Sequence, residues 1–256
     1  MPIIEVWKDY GITSNEFARR YKLDFNVDSV CYAGRLDPMA CGKMILLTDK
    51  DTKNVNNHLK HDKLYNFYLI IGIDTKSHDC LSEIERINDC TSAIIEKDEI
   101  IFKLKKFIKC YTIQKYPITS NYTIKHDNIK KPLWWFYTNG YKNINLPQKN
   151  VTIIDYKINN IENVQLNDII PNFIDRIKLI DNEKTQIELK THDIIDQWEK
   201  KKERVNSIRL ITINMELTVS SGFYIRQFCN DFGKFIGHGA IAFDITRLKI
   251  IKQIKN

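Results

Sequence analysis

Apolar residues along the chain follow two rhythms. The first is alternation at every second position, the period of a half-buried strand. Tyr65, Phe67, Leu69 and Ile71 alternate with Asn66, Tyr68 and Ile70, and residues 151–161 and 208–219 behave alike. Residues 3–8 and 241–250 predict two more strands, and Met44-Ile45-Leu46-Leu47 predicts a buried one. The second rhythm is helical. Gly11-Ile12-Thr13-Ser14-Asn15-Glu16 marks a turn and a helix start, with Thr13 or Ser14 as cap and Glu16 in capping-box position. That helix runs through Phe17, Ala18 and Tyr21 and turns Arg19, Arg20 and Lys22 outward. Residues 52–60, 92–110 and 193–204 predict further helices, the second with Ile94, Ile95, Ile101, Leu104 and Ile108 inward. Residues 219–233 read as strand, glycine turn and helix, with Asp231 on the helix and Gly233 near its end. Between the strands at 151–161 and 208–219 lie roughly 45 residues rich in Asp, Asn, Lys and Ile, too many for a plain loop of ~12–15.

Composition narrows this picture modestly. With 256 residues and 43% hydrophobic side chains, the chain can bury a sizeable core and is not disordered. Lys and Arg total 39 against 32 Asp and Glu, a net charge of +7 that suits a polyanionic partner without demanding one. The six cysteines form no C-x-x-C pair and have no histidine at zinc-ligand spacing, so they read as free thiols in a reducing compartment. No basic-then-apolar leader opens the chain, and no apolar run reaches membrane-spanning length. The expectation is a soluble intracellular protein of cytoplasm or nucleus, without metal or organic cofactor.

The candidate chemistry centres on Ala33-Gly34-Arg35-Leu36-Asp37-Pro38-Met39-Ala40-Cys41-Gly42. Pro38 fixes its own φ and pushes Asp37 toward extended geometry, and glycines at both ends allow close backbone approach. A carboxylate on a stiff loop beside a buried strand suits a nucleophile or base. The plainer alternative is a turn aspartate bonded to its own backbone. Tyr65 alone reads better as a core aromatic with its hydroxyl satisfied, and Arg226 as half of a structural salt bridge. Trp134-Trp135-Phe136-Tyr137 suits either base stacking or core packing.

The 33–42 stretch resembles the active-site signature of the TruB family of RNA pseudouridine synthases, G-H-x-G-T-L-D-P-x-A-x-G-x-L. Two positions depart: Arg35 stands where the family has Thr, as is more typical of RluA-type synthases, and Tyr32 stands where it has His. Lys8 to Ser14 is similar to the family's opening Lys-Pro-x-Gly-x-Thr-Ser, with Asp9 for the proline. Lys63-Leu64-Tyr65 resembles its Lys-x-Tyr strand. Gln114, Pro117 and Ser120 resemble Gln-x-Pro-Pro-x-x-Ser-Ala at the start of an RNA-clamping loop, with Tyr116 and Asn121 departing. Val219 to Gly233 resembles C-S-x-G-T-Y-I-R-x-L-x-x-D-L-G, Gly237 to Ala240 its Gly-x-Gly-Ala, and Ile245 stands where a leucine lines the pocket.

The resemblance implies an α+β pseudouridine synthase fold, with a central, largely antiparallel sheet flanked by helices and a cleft across it. It implies Asp37 as nucleophile, Tyr65 against the target base and Arg226 paired with Asp37. It places Lys8, Tyr32, Arg35, Lys63, Tyr224 and Ile245 in contact with RNA. Tyr32 by stacking, and Arg35 by its planar guanidinium, would take over from the histidine that fills the space of the flipped uridine. The implied partner is the T-arm of tRNA, at the uridine conventionally numbered 55, met by a monomer. Alternatives are an RluA-like synthase with another RNA target, and a non-catalytic RNA-binding or folding protein. The trio Asp37, Tyr65 and Arg226 argues against the last. Residues 1–256 are expected to form one catalytic domain, with an insertion at about 165–205 and no PUA domain.

Overall fold

The protein is described by a computed structural model covering residues 4–90, 97–204 and 207–251. The first strand, β1 (Ile4–Lys8), turns through Gly11 into α1 (Ser14–Asp24). There the Thr13 hydroxyl caps the helix by accepting from the Glu16 amide at 3.1 Å. β2 (Val30–Ala33) leads through the Asp37 loop into β3 (Ala40–Thr48). The helix expected over 52–60 is instead a 3-10 segment, Asp49–Asn54, and one α-turn, α2 (Asn56–Leu59). The Thr52 hydroxyl donates to the Asp49 carbonyl, a local bond that competes with a regular helix.

β4 (Asp62–Ile71) is the long alternating strand. A hairpin of β5 (Ile73–Thr75) and β6 (Ile84–Ile87) follows, then α3 (Lys97–Cys110). Ile100, Leu104 and Ile108 form its buried face; Ile94 and Ile95 lie outside the described residues. The middle of the chain holds β7 (Ile113–Lys115), the hairpin β8 (Thr123–His126) and β9 (Ile129–Pro132), α4 (Leu133–Thr138) and β10 (Gln148–Asn150). Of the aromatic run, Phe136 is buried and its neighbours half-buried. β11 (Ile153–Gln165) precedes three helices, α5 (Leu166–Lys178), α6 (Glu183–Leu189) and α7 (Thr191–Arg204). The chain returns through β12 (Arg209–Val219), α8 (Ile225–Ile236) and β13 (Ala240–Ile251).

Seven strands form the central sheet in the order β1-β3-β13-β4-β12-β11, with β2 also paired to β3. Every pairing is antiparallel except β13 with β3, whose parallel register sets Ile245 beside Ala40. Strand alternation then divides the core. Phe67, Leu69, Ile211, Ile213, Ala240 and Ala242 pack with Leu104, Phe228 and Phe232 of α3 and α8. Their neighbours Ile70, Leu210, Ile241 and Phe243 point the other way, against Ile170, Phe173 and Ile177 of α5 and Trp198 of α7. Residues 166–204 are therefore mostly helical, and α5 and α7 cover part of the sheet's second face.

Candidate active site

Three chain segments fix the Asp37 loop from different sides. The Lys8 ammonium, fully buried, donates to the carbonyls of Asp9 and Ile12 at 2.8 Å each and closes the β1–α1 turn. Gly11, inside that turn, donates its amide to the Pro38 carbonyl at 2.9 Å. The Ser14 hydroxyl donates to the Leu36 carbonyl at 2.8 Å and accepts the Leu36 amide at 2.9 Å. Both neighbours of Asp37 are thus clamped, and its carboxylate is left one-third exposed. On the far side Arg247, fully buried, donates to the carbonyls of Gly34 and Lys43 at 3.0 and 2.6 Å.

The carboxylate meets Arg226, the second residue of α8. Arg226 Nε lies 2.8 Å from Asp37 Oδ2 and 3.6 Å from Asp79 Oδ2. Its Nη1 donates to the Ser77 carbonyl at 2.6 Å and the Thr119 hydroxyl at 2.8 Å. The side chain is only 5% exposed. Burial works against the guanidinium's charge, yet the carboxylates of Asp37 and Asp79 outweigh it and raise its pKa. Asp79 is itself buried, which pushes its carboxyl up against the opposing pull of Arg226. It accepts from the Ser77 hydroxyl and from the Leu81 amide. One guanidinium thus stands between a buried carboxylate and a partly open one.

Tyr65 on β4 and Ile245 on β13 are buried in one apolar cluster with Leu36 and Ala40, the residues that flank the Asp37 loop. Tyr224 precedes Arg226 by two residues, and burial, followed by the Asp37 charge, pushes its phenol up to about 12. The segment 114–120 seats above it. Gln114 donates to the Tyr224 carbonyl at 3.0 Å and accepts the Tyr224 amide at 2.8 Å. The Tyr116 ring meets that of Tyr224 edge-on at 5.8 Å.

The structure therefore brings Asp37 and Arg226 into direct contact with Tyr224 close by, and it places Tyr65 and Ile245 in the apolar cluster that includes Leu36 and Ala40. Lys8 and Lys63, expected to meet RNA, both lie inside the protein. The Lys63 ammonium donates to the carbonyls of His61 and Leu59, and burial lowers both lysines to about 8. Tyr32 and Arg35 lie at the rim: Arg35 donates to the Tyr32 hydroxyl at 2.7 Å, which donates to Asn15 at 2.5 Å. Asp79 escaped the sequence reading. Its signal was slight: an acid among small polar residues, Ser77 and Ser82, directly after a predicted strand. No group of three or more His, Cys, Asp or Glu is placed to hold a metal ion among the described residues. None of their helices is long and apolar enough to cross a membrane.

Known proteins resemble this chain. Curated relatives include tRNA pseudouridine synthase B of Blochmanniella floridana, 26% identical over 247 residues, covering 96% of this chain and 75% of that protein. The protein of that name from Malacoplasma penetrans is 22% identical over 248 residues, covering 97% and 84%. Among solved structures, a Cbf5-Nop10-Gar1 complex contains a chain of the same fold, with a TM-score of 0.54 at 16% identity over 97% of this chain. The present chain spans about half of that one, 48%. The family model described as "TruB family pseudouridylate synthase (N terminal domain)" matches residues 22–170, from the end of α1 through the Asp37 loop to the start of α5. By this match, the chain belongs to the TruB family of pseudouridylate synthases.

Proposed function

We propose that this protein is a tRNA pseudouridine synthase that isomerises a T-loop uridine, the one conventionally numbered 55, with Asp37 as its nucleophile. The observation that carries the reading is the Asp37 carboxylate, clamped through Leu36 and Pro38, paired with a buried arginine and still one-third exposed to the cleft. The relatives' name supplies the substrate class.

Pseudouridine formation breaks the N1–C1′ bond of a uridine and makes a C5–C1′ bond. The proton on C5 is lost and N1 gains one, so nothing is added or removed overall. A carboxylate that takes up one fragment covalently divides this into two easier displacements. Arg226 holds the carboxylate aimed, a task that suits a rigid guanidinium fork. Tyr65 and Ile245 form the wall against which the detached uracil turns, with Tyr224 beside them. Lys8 and Lys63 act by bracing the backbone under the site. Tyr32 and Arg35, hydrogen-bonded together at the rim, occupy the place in the stack that the flipped uridine leaves. One chain carries all of these groups, which supports action as a monomer.

The test is direct. The purified protein is incubated with unmodified tRNA and with its isolated T-arm stem–loop, and pseudouridine is mapped by sequencing. The proposal expects one new pseudouridine, in the T-loop of both RNAs. Product at another position, or only in a different RNA, would overturn it.

A further inference from the structure

Lys149 stands on β10, directly across from Gln114 on β7. Through the two bonds between Gln114 and Tyr224, this strand pair is tied to the start of α8, where Arg226 holds Asp37. The Lys149 ammonium lies 4.7 Å from the centre of the Tyr116 ring and 4.5 Å from that of Tyr224. It donates to the Gly222 carbonyl. A side chain at position 222 would begin 2.9 Å from the ammonium, and Gly222 already sits at φ +78, so this glycine makes the room. Among the described residues no carboxylate neutralises Lys149, and burial alone lowers its pKa to about 8.

A cation held partly out of water without a counter-charge is unfavourable until an anion reaches it. Two ring faces compensate in part, because their quadrupoles attract an ammonium. Lys63 is near enough for the two positive charges to repel, which deepens the local demand for an anion. The position lies beside Tyr224, which is close enough to feel the Asp37 charge, and so borders the cleft proposed above. A nucleic acid entering that cleft brings phosphates on both sides of the reacting nucleotide.

We propose that Lys149 is a substrate-binding residue, whose ammonium, held between Tyr116 and Tyr224, contacts a backbone phosphate next to the uridine entering the Asp37 site. This rests on the function proposed above. The competing role is a purely structural tie between β10 and the start of α8.

Binding of a fluorescent T-arm stem–loop is measured by anisotropy across a salt series for the wild type, Lys149→Met and Lys149→Arg, with turnover followed separately. One lost phosphate contact makes the slope of log K against log salt shallower by about 0.7–0.9. The expected result is that change in Lys149→Met, with affinity about 5–20-fold weaker at low salt and Lys149→Arg close to wild type. A folded fraction that stays constant across the salt series leaves the slope unchanged, so a destabilised variant still reports once its folding is followed over the same series. An unchanged slope in Lys149→Met, whatever its affinity, would overturn the proposal in favour of the structural tie. A wild type that binds with the expected slope difference but makes no pseudouridine would refute the activity and leave the phosphate contact standing.

Discussion

Asp37 is selected by what surrounds it more than by its own chemistry. Ser14 grips the residue before it, Gly11 the residue after it, and Arg226 its carboxylate. Arg226→Lys keeps the charge but loses the fork that reaches Asp37, Ser77 and Thr119 together. It should lower kcat/KM by more than about 100-fold, or ~2.7 kcal/mol of lost transition-state stabilisation. Retention of most of the activity would show that a point charge suffices. Asp79→Asn leaves Arg226 with one carboxylate and should cost about 1–3 kcal/mol of stability, read by urea unfolding, while lowering kcat more than it changes KM. At this scale the Asp37–Arg226 pair is legible only through the resemblance of both segments to the family's motifs, since neither segment alone names the other as its partner. Asp79 is not, because its meaning lies in a partner 147 positions away on α8. The burial of Lys8 and Lys63 was equally invisible, since no local pattern distinguishes a lysine that binds carbonyls from one in water.

At the scale of elements, the β1–α1 turn is the pedestal of the site. Its Lys-x-x-Gly-x-Thr-Ser spacing now has a physical reading: Lys8 closes the turn, Gly11 reaches Pro38, Thr13 caps α1 and Ser14 clamps Leu36. Gly11 also faces α5. At φ +80, a Cβ there would lie 2.0 Å from the Leu179 carbonyl oxygen. Gly11→Ala should therefore destabilise by about 2–5 kcal/mol through strain and overlap. It should also lower turnover among the molecules that remain folded. A urea midpoint equal to wild type would contradict the close approach. Strands and α8 were legible from alternation and from one glycine turn. Helix α5 is hard to see in the sequence although Leu166, Ile169, Ile170, Phe173, Ile174 and Ile177 have helical spacing and are all buried. Pro171 and the surrounding Asn and Asp residues, which favour turns, masked that rhythm.

For the whole molecule, α5–α7 are fastened to the catalytic face's own scaffold. Arg20 bonds both oxygens of Asp181 at 3.0 Å, and Arg176 packs 3.9 Å from the Tyr10 ring centre while pairing with Asp244. Their removal would uncover the apolar second face, so we read this stretch as part of the fold's support. Charge also acts globally. Burial holds Lys8, Lys63 and Lys149 at about 8, against about 10.4 for a free lysine. Between those values each of these lysines binds more protons in the unfolded chain than in the folded one, so their contribution to stability rises with pH. The buried thiols of Cys80 and Cys229 and the phenols of Tyr111 and Tyr224, which burial raises, act in the opposite direction, so the lysine contribution is read as a difference. From about pH 8 to about pH 10 the urea midpoint of wild type should gain relative to that of Lys8→Met, and parallel profiles would contradict the burial of the Lys8 ammonium. The central claim, a carboxylate nucleophile at Asp37, meets its sharpest test in Asp37→Asn, which keeps the size and removes the charge. Release of tritium from C5 of the T-loop uridine reports turnover, and anisotropy of the same stem–loop reports binding. The predicted result is no release above background with affinity within about threefold of wild type, since binding rests mainly on phosphate contacts. Release within about tenfold of wild type, a barrier change of only ~1.4 kcal/mol, would contradict it.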